Sequence, residues 1–137
     1  MPMFRFSEAA RLLAVSDDTV RRWVDAGRLS ATTDDAGRKV VDGAELARFA
    51  KAHANQLEDP TGVARSARNQ FVGLITEVRA DQVMAQVEMQ CGAHRLVSLM
   101  SSEAVRELGL VPGVLAVAVV KSTQVVIEVP SASGSAH

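Results

Sequence analysis

The chain has 137 residues, of which 47% are hydrophobic and 23% charged, and its formal net charge is −1. This composition indicates a folded protein with room for one medium domain or two small ones. The single cysteine excludes an internal disulfide and a cysteine-rich zinc site. No apolar run approaches the roughly 20 residues that span a bilayer, and no secretory signal pattern is visible. We therefore expect a cytoplasmic protein with no membrane partner.

Positive and negative charges are balanced along the whole chain. Residues 1–58 contain nine Lys or Arg and nine Asp or Glu, and residues 59–137 contain six and seven. Proteins that bind nucleic acid usually carry a basic excess. If this chain binds DNA, its positive charge must be concentrated on one face, and oligomerisation must add to the affinity of each subunit.

The N-terminal sequence predicts two helices joined by a short break. Ser7 can cap the first helix and Ser16 the second, because a serine hydroxyl accepts a hydrogen bond from an N–H of the first turn. The second helix has the spacing of a buried apolar stripe at Val20, Trp23 and Val24. Two tightly joined helices, with arginines outside on the second, are typical of a helix-turn-helix.

A β-hairpin and a third helix are predicted next. Residues 29–33 and 38–41 are short β-compatible runs separated by a turn-forming tetrapeptide. They predict a small wing beside the helices. Asp42 and Glu45 then stand at capping-box spacing and open a third helix that can cover the other two.

Residues 7–16, 19–23 and 27–29 resemble the winged helix-turn-helix of the MerR and excisionase group. Such units place the second helix in the major groove of double-stranded DNA and use the wing on the backbone or minor groove. Taken alone, outward arginines on the second helix fit the solvated face of an amphipathic helix better than a DNA-binding surface. The ordered set of cap, Trp23, wing and third helix favours DNA binding instead. The resemblance implies groove contacts from Thr19, Arg21 and Arg22, and phosphate contacts from Arg28, Arg38 and Lys39.

The remaining sequence predicts a linker and a small β domain. Residues 56–65 read as a linker between domains at 1–55 and 66–130, and 131–137 as a disordered tail. Apolar residues alternate with mostly polar ones along 83–90, as in a half-buried strand. Ser101 or Ser102 can cap a short helix that ends at Leu108. Four further strands are predicted at residues 71–78, 96–100, 114–120 and 125–129. The predicted fold class is α+β, a winged helix-turn-helix followed by a small, OB-like, five-stranded β-barrel.

Two short polar segments flank these strands, Ser66-Ala67-Arg68-Asn69 and Lys121-Ser122-Thr123. A tetrahedral dianion needs N–H and O–H donors from several directions and at least one cation, and both segments carry such groups. Ser101 stands at a helix start, where free N–H groups favour anions. The residues alone fit a polar hairpin turn and a polar domain entrance equally well.

Residues 66–70, 84–88, 101–103, 108–110 and 119–123 look like the Mop or TOBE domain, in that family's order over about 64–130. Its members bind molybdate or tungstate, and the family's site lies between protomers, with the first polar segment of one chain near the second of another. The resemblance implies a homo-oligomer, a dimer or a hexamer. It also implies an oxyanion site formed by Ser66, Ala67, Arg68, Asn69, Ser101, Lys121 and Ser122.

Together these features predict a molybdate- or tungstate-responsive, DNA-binding transcriptional regulator. The alternative is an intracellular molybdate or tungstate storage or homeostasis protein whose helix-turn-helix serves assembly. A third hypothesis is a DNA-architectural protein with a degenerate anion pocket. The carboxylates Glu77, Asp81 and Glu88 form no evident acid/base pair, and His94 has no partner at metal-ligand spacing. We therefore expect no enzyme and no metal other than that of the oxyanion.

Overall fold

The structure, a computed structural model, describes residues 2–54 and 57–131. The chain divides into two compact units, residues 1–56 and residues 57–137. Among the described residues, no helix is long and apolar enough to cross a membrane. The predicted tail at 131–137 lies outside the described residues except for Ser131.

The N-terminal unit is a winged helix-turn-helix. Its elements in chain order are β1 (Met3–Arg5), α1 (Phe6–Leu13), α2 (Asp17–Asp25), β2 (Ala31–Thr33), β3 (Lys39–Asp42) and α3 (Gly43–His53). The strands form an antiparallel sheet in the order β1-β3-β2. The two helices, the wing and the third helix confirm the sequence prediction. The strand β1 was not predicted, because its partner β3 is distant in sequence, whereas β2 is joined to β3 by a turn-forming tetrapeptide.

The start of α1 differs from the prediction. Its N-cap is Arg5, whose backbone N–H donates to the Glu8 carboxylate at 2.9 Å. Ser7 lies inside the first turn, so its assignment as the cap is wrong. The prediction for α2 is confirmed, because the Ser16 hydroxyl accepts from the Thr19 N–H at 3.1 Å.

Half of the predicted capping box exists at the start of α3. The Asp42 carboxylate accepts from the Glu45 N–H at 3.1 Å. The Glu45 carboxylate accepts instead from the Ser30 N–H at 2.8 Å. This contact ties α3 to the segment that leads into the wing. The core between the helices and the sheet is formed by Ala9, Ala10, Val20, Leu29, Val41, Leu46 and Phe49.

The C-terminal unit is a four-stranded antiparallel sheet with one short helix. Its elements are β4 (Asn69–Ala80), β5 (Met84–Cys91), β6 (His94–Ser101), α4 (Ser102–Leu108) and β7 (Leu115–Val120), followed by a 3-10 turn (Ser122–Gln124). The strand order is β6-β5-β4-β7, and the sheet curls into a half-barrel. The α+β class and the OB-like architecture are confirmed.

Alternation along β5 forms most of the core of this unit. Ala85, Val87 and Met89 are buried, as predicted, and they pack with Ile75 of β4. Val83, predicted to open the inward series, lies before the strand and is 70% exposed. The Ser101 hydroxyl accepts from the Ala104 N–H at 3.1 Å and caps α4.

The predicted fifth strand at residues 125–129 is wrong for the chain that the structure describes. The backbone of Val125 is extended, but residues 125–129 form no ladder with any described strand. A run of β-branched residues predicts extended backbone, whereas a strand also needs a neighbouring edge. The half-barrel therefore has four strands, and the 3-10 turn separates the last of them from 125–129.

Residues 57–65 of the predicted linker carry local hydrogen bonds. The Asp59 carboxylate accepts from the Thr61 N–H at 2.9 Å and from its hydroxyl at 2.7 Å. Arg65 donates to the Thr61 hydroxyl at 2.6 Å and forms an ion pair with Asp59 at 3.0 Å. The segment that leads into Ser66 is therefore held by its own side chains.

Candidate functional site

Strand pairing brings the two polar segments together within one chain. β4 and β7 run antiparallel, with Asn69 opposite Val120, and the Asn69 side-chain amide donates to the Val120 carbonyl at 3.1 Å. β4 begins at the end of the sheet where β7 ends. Residues 66–68, which precede β4, and residues 121–122, which follow β7, are therefore attached to the same end of the sheet. The sequence predicted that the two segments meet from different chains, and their proximity needs no second chain.

The cations and hydroxyls of these segments are free to bind a ligand. Ser66, Arg68, Lys121 and Ser122 are exposed. Their side chains have no hydrogen bond or ion pair with another residue of the described chain. Ala67, between Ser66 and Arg68, is buried. Two cations stand here with no carboxylate in either segment, which suits a doubly negative ion.

Ser101 lies at the other end of the sheet. It pairs with Met84 of β5, and the neighbouring Ala85 pairs with Ala80, the last residue of β4. β4 has 12 residues from Asn69 to Ala80, a length on the order of 35 Å at the rise of a strand. One chain therefore does not bring Ser101 to the other predicted oxyanion ligands.

Arg65 is a cation beside the first segment that the sequence analysis did not select. Its side chain is 14% exposed, and the buried Nη1 atom has no hydrogen-bond partner among the described residues. A buried guanidinium N–H without a partner is rare. The spacing of Asp59, Thr61 and Arg65 in the sequence could have indicated it. Their side chains hydrogen-bond to one another and form a turn directly before Ser66.

A second group of cations lines a groove of about 390 Å³ in the N-terminal unit. Arg21 of α2 and Arg38 and Lys39 of the wing, all predicted DNA contacts, meet there with Arg5. Arg5 was not predicted, because its place depends on β1, which pairs Arg5 with Val40 of β3. Asp17 and Asp25 also line the groove. Arg5, Arg21 and Arg38 each form an ion pair with a further carboxylate, at Glu8, Asp18 and Asp34. Among the described residues, Lys39 is the cation of this lining that has no ion pair.

The exposed side of α2 carries the residues that the sequence predicted to contact the major groove of DNA. Arg22 donates to the Thr19 hydroxyl at 3.0 Å, and Arg21 pairs with Asp18 at 3.1 Å. Exposed pairs of this kind contribute about 0–1 kcal/mol. A phosphate or a base edge can therefore exchange with them at little cost.

Asp34 holds the turn of the wing. Its carboxylate accepts from the backbone N–H groups of Arg38 at 2.8 Å and Ala36 at 3.0 Å, and from Arg38 Nε at 3.1 Å. The Arg38 backbone N–H is the main reason that the pKa of Asp34 lies below its usual value. The hydrogen bond from Arg38 Nε to Asp34 also orients the Arg38 side chain beside the groove.

Arg28, the remaining predicted DNA contact, lies against α3. Its Nη2 atom is 2.8 Å from His53 Nε2, and its guanidinium lies 5.8 Å from the Phe49 ring centroid. The His53 ring stacks on Phe49 at 3.9 Å. The structure thus places Arg28 in an aromatic cluster and not on the lining of the cationic groove.

In the described residues, no cluster of three or more His, Cys, Asp or Glu could hold a metal ion. The chemistry that both sites present is that of anion recognition: exposed guanidinium, ammonium and hydroxyl groups. One site belongs to each unit.

Known proteins match the two units separately. A family model of a helix-turn-helix domain matches residues 3–54, and one of the TOBE domain matches residues 65–127. Molybdenum-pterin-binding protein 2 of Clostridium pasteurianum is 40% identical over 63 residues, which are 45% of this chain and 93% of that protein. The chain belongs to the TOBE/Mop family. Its TOBE domain is joined to an N-terminal helix-turn-helix domain, and kinship with the MerR and excisionase group stays a prediction.

Solved structures similar to this chain match about half of it. A molybdate-binding protein from Sporomusa ovata is 30% identical, covers 48% of this chain and 98% of its own, and has a TM-score of 0.47. MopII from Clostridium pasteurianum, in an apo form, is 37% identical, covers 48% of this chain and all of its own, and has a TM-score of 0.45.

Proposed function

We propose that this protein is a cytoplasmic transcriptional regulator that binds DNA in response to molybdate or tungstate. The observation that carries the proposal is the meeting of two polar segments, with free cations and hydroxyls, in a chain that also has a helix-turn-helix domain. The names of the relatives support the ligand, since they are molybdenum-pterin-binding and molybdate-binding proteins.

The proposed oxyanion site uses donors of different shapes. The guanidinium of Arg68 offers two parallel N–H groups and the ammonium of Lys121 a compact charge, which together balance a dianion. Ser66 and Ser122 add hydroxyls, Ala67 is buried between Ser66 and Arg68, and Asn69 holds the first segment in place.

The site is completed by a second protomer in this proposal. The donors of one chain are exposed, so an anion bound to them has an open side that another chain can close. Ser101, at the far end of the sheet, can contribute only from another copy. We therefore place the anion between protomers of a homo-oligomer, a dimer or a hexamer.

The proposed DNA contacts follow from the cationic face of the N-terminal unit. α2 enters the major groove with Thr19, Arg21 and Arg22, and Arg5, Arg38 and Lys39 contact phosphates. An anion that joins protomers fixes the spacing of their helix-turn-helix domains on paired half-sites. The oxyanion thereby shifts the population of the DNA-binding assembly.

Calorimetric titration tests the oxyanion site. The wild type is titrated with molybdate, tungstate and sulfate. Lys121→Ala is expected to weaken molybdate binding by roughly 10- to 100-fold, the equivalent of one charge-assisted hydrogen bond, with the fold unchanged. Lys51→Ala, an exposed lysine of α3, is the matched control. Absence of heat with both metal oxyanions refutes the ligand, and a normal affinity of Lys121→Ala refutes the residue assignment.

A gel-shift series tests the coupling to DNA. The probe is the region upstream of the protein's own gene, and the titration is run with and without molybdate. We expect the apparent affinity to change by at least about fivefold, a typical allosteric coupling. Unchanged binding removes the regulator. It leaves the storage or homeostasis protein and the DNA-architectural protein. Storage or homeostasis is favoured by one finding: the TOBE part of this chain corresponds to 93% of a relative, so such a domain can occur with little else.

A further inference from the structure

The exposed face of α2 presents positive and negative side chains in equal number. Arg21, Arg22 and Asp25 stand three, four and seven residues after Asp18, a spacing that places all four on one side of a helix. All four are exposed, and they line one groove of about 510 Å³. This face therefore has no excess of positive charge.

A balanced face suits the edges of bases better than it suits phosphates. Phosphate oxygens are negative acceptors, so the carboxylates of Asp18 and Asp25 repel them. Base edges in the major groove present donors as well as acceptors. Contacts that fix a protein on the DNA backbone are also separate from those that read sequence. The first task suits cations such as Lys39, which has no ion pair in the described chain.

Asp18 holds Arg21 by one nitrogen of its guanidinium. Arg21 Nη1 donates to Asp18 Oδ1 at 3.1 Å. Nε and Nη2 form another edge of the planar group, and neither has a hydrogen bond among the described residues. A free edge with two parallel N–H groups is what bidentate recognition requires. The exposed pair adds little stability, but it favours one orientation of the side chain.

Arg22 is held in a different way. Its Nη2 atom donates to the Thr19 hydroxyl at 3.0 Å, and that hydroxyl lies 2.9 Å from the Ser16 hydroxyl. The contact engages Nη2, a nitrogen that both forks of the guanidinium share. Of the two arginines, Arg21 is therefore the one with an edge on which both nitrogens are free, and its partner is a charged acceptor.

Guanine is the base that fits such an edge. It presents two neighbouring acceptors, N7 and O6, in the major groove. Adenine presents one acceptor beside a donor, thymine one acceptor beside a methyl group, and cytosine a donor. A guanidinium has donors only, so it satisfies both of its N–H groups on guanine and on no other base.

We propose that Arg21 reads a guanine in the major groove and that Asp18 is the residue that positions it. Recognition helices contact bases with their N-terminal residues, and Asp18 lies in the first turn of α2. Asp18 acts through Arg21 and needs no base contact of its own. Without this carboxylate the guanidinium can turn to phosphates, so the preference for guanine falls. The inference rests on the DNA binding of the proposed function.

The first test changes single atoms of the DNA. Footprinting on the region upstream of the protein's own gene defines the protected segment, and each dG in it is replaced in turn by 7-deaza-dG. This base lacks the N7 acceptor and keeps its Watson–Crick pairing. At one or more of these positions the affinity of the wild type should fall by roughly fivefold or more, as for one lost base contact.

Arg21→Ala is the matching variant for that position. It should bind the dG and 7-deaza-dG probes equally, because the side chain that meets N7 is gone. A wild type that is insensitive at every dG overturns the proposal. So does an Arg21→Ala variant that keeps the wild-type difference between the two probes.

The second test separates orientation from charge. Asp17 stands beside Asp18 in the first turn of α2 and has no ion pair in the described chain. Asp17→Asn and Asp18→Asn each remove one negative charge, so both should strengthen binding to every probe. Only Asp18→Asn should lower the affinity ratio between the dG and 7-deaza-dG probes, and Asp18→Glu should restore it. An equal ratio in the two Asn variants overturns the positioning role.

Failure of this inference is distinct from failure of the proposed function. All titrations use the full chain at the molybdate concentration that gives the tightest binding in the gel-shift series. Binding without any preference for dG refutes the reading of guanine and leaves DNA binding intact. Absence of binding to every probe refutes both.

Discussion

Single polar side chains decide where the helices of the N-terminal unit begin. Ser7 and Ser16 both precede apolar helical patterns, yet only the Ser16 hydroxyl accepts a backbone N–H. At α1 the Glu8 carboxylate satisfies the Arg5 N–H instead. The pKa of Glu8 is lowered, mainly by this backbone hydrogen bond. Local sequence shows that a cap is possible, and the backbone geometry decides which residue provides it.

Replacement of these serines should separate the two roles. Ser16→Ala is expected to lower the free energy of unfolding of the N-terminal unit by about 1 kcal/mol, the usual loss for an N-cap. Ser7→Ala should change it by less than about 0.5 kcal/mol. Trp23, the only tryptophan, reports unfolding of this unit by fluorescence in urea. Equal effects of the two substitutions would contradict the observed cap.

Among the secondary-structure elements, the close approach of β4 and β5 shapes the C-terminal unit. Gly73 of β4 has no room for a side chain, because a Cβ there would lie 2.1 Å from the Gln90 carbonyl oxygen and 2.7 Å from Cys91 Sγ. The register of β4 with β5 shifts between Ile75 and Glu77. Such irregularities bend a strand and support the curl of the sheet.

A methyl group at Gly73 should therefore disrupt the sheet. Gly73→Ala is expected to destabilise the C-terminal unit by about 3 kcal/mol or more, because backbone atoms cannot turn aside as a rotamer can. Gly92→Ala is the control: its φ of +59° gives left-handed strain but its Cβ meets no atom within 4 Å, so a loss of about 1–2 kcal/mol is expected. Hydrogen exchange of the β4 and β5 amides measures both. A smaller loss at Gly73 than at Gly92 would refute the packing argument.

For the molecule as a whole, the proposed response depends on two anion-binding surfaces in one chain. The net charge of the chain is −1, yet Arg5, Arg21, Arg38 and Lys39 line one groove of the N-terminal unit. Phosphate contacts release counterions, so each contact contributes to the salt dependence of DNA binding. The distribution of charge, and not its sum, therefore decides whether the N-terminal unit can bind DNA.

The salt dependence distinguishes the cations that reach phosphate. Lys39→Gln is expected to reduce the slope of log K against log salt concentration by about 0.9. Arg28→Gln should leave the slope unchanged, because Arg28 contacts His53 and Phe49. The measurement is a DNA titration at several salt concentrations. Equal reductions for both variants would show that Arg28 also contacts the backbone of DNA.

Features that depend on local order could be predicted from the sequence. The Ser16 cap and the alternation of Ala85 with Val87 and Met89 follow from neighbours within a few residues. So does a serine cap of α4, predicted at Ser101 or Ser102 and found at Ser101. The helix-turn-helix and TOBE motifs could also be found from the sequence, because each is a set of residues in a fixed order along one continuous stretch of the chain. Period, capping and motif order are properties of adjacent residues, so they need no knowledge of the fold.

Features that depend on pairing between distant residues became visible only in the folded chain. The pairing of Asn69 with Val120 joins the two polar segments in one chain, while the pairing of Ala80 with Ala85 carries Ser101 away from them. β1 brings Arg5 to the cationic groove, and residues 125–129 pair with no described strand. The same cause acts in each case: a strand is defined by its neighbour, and local sequence does not specify which distant edge, or which chain, provides it.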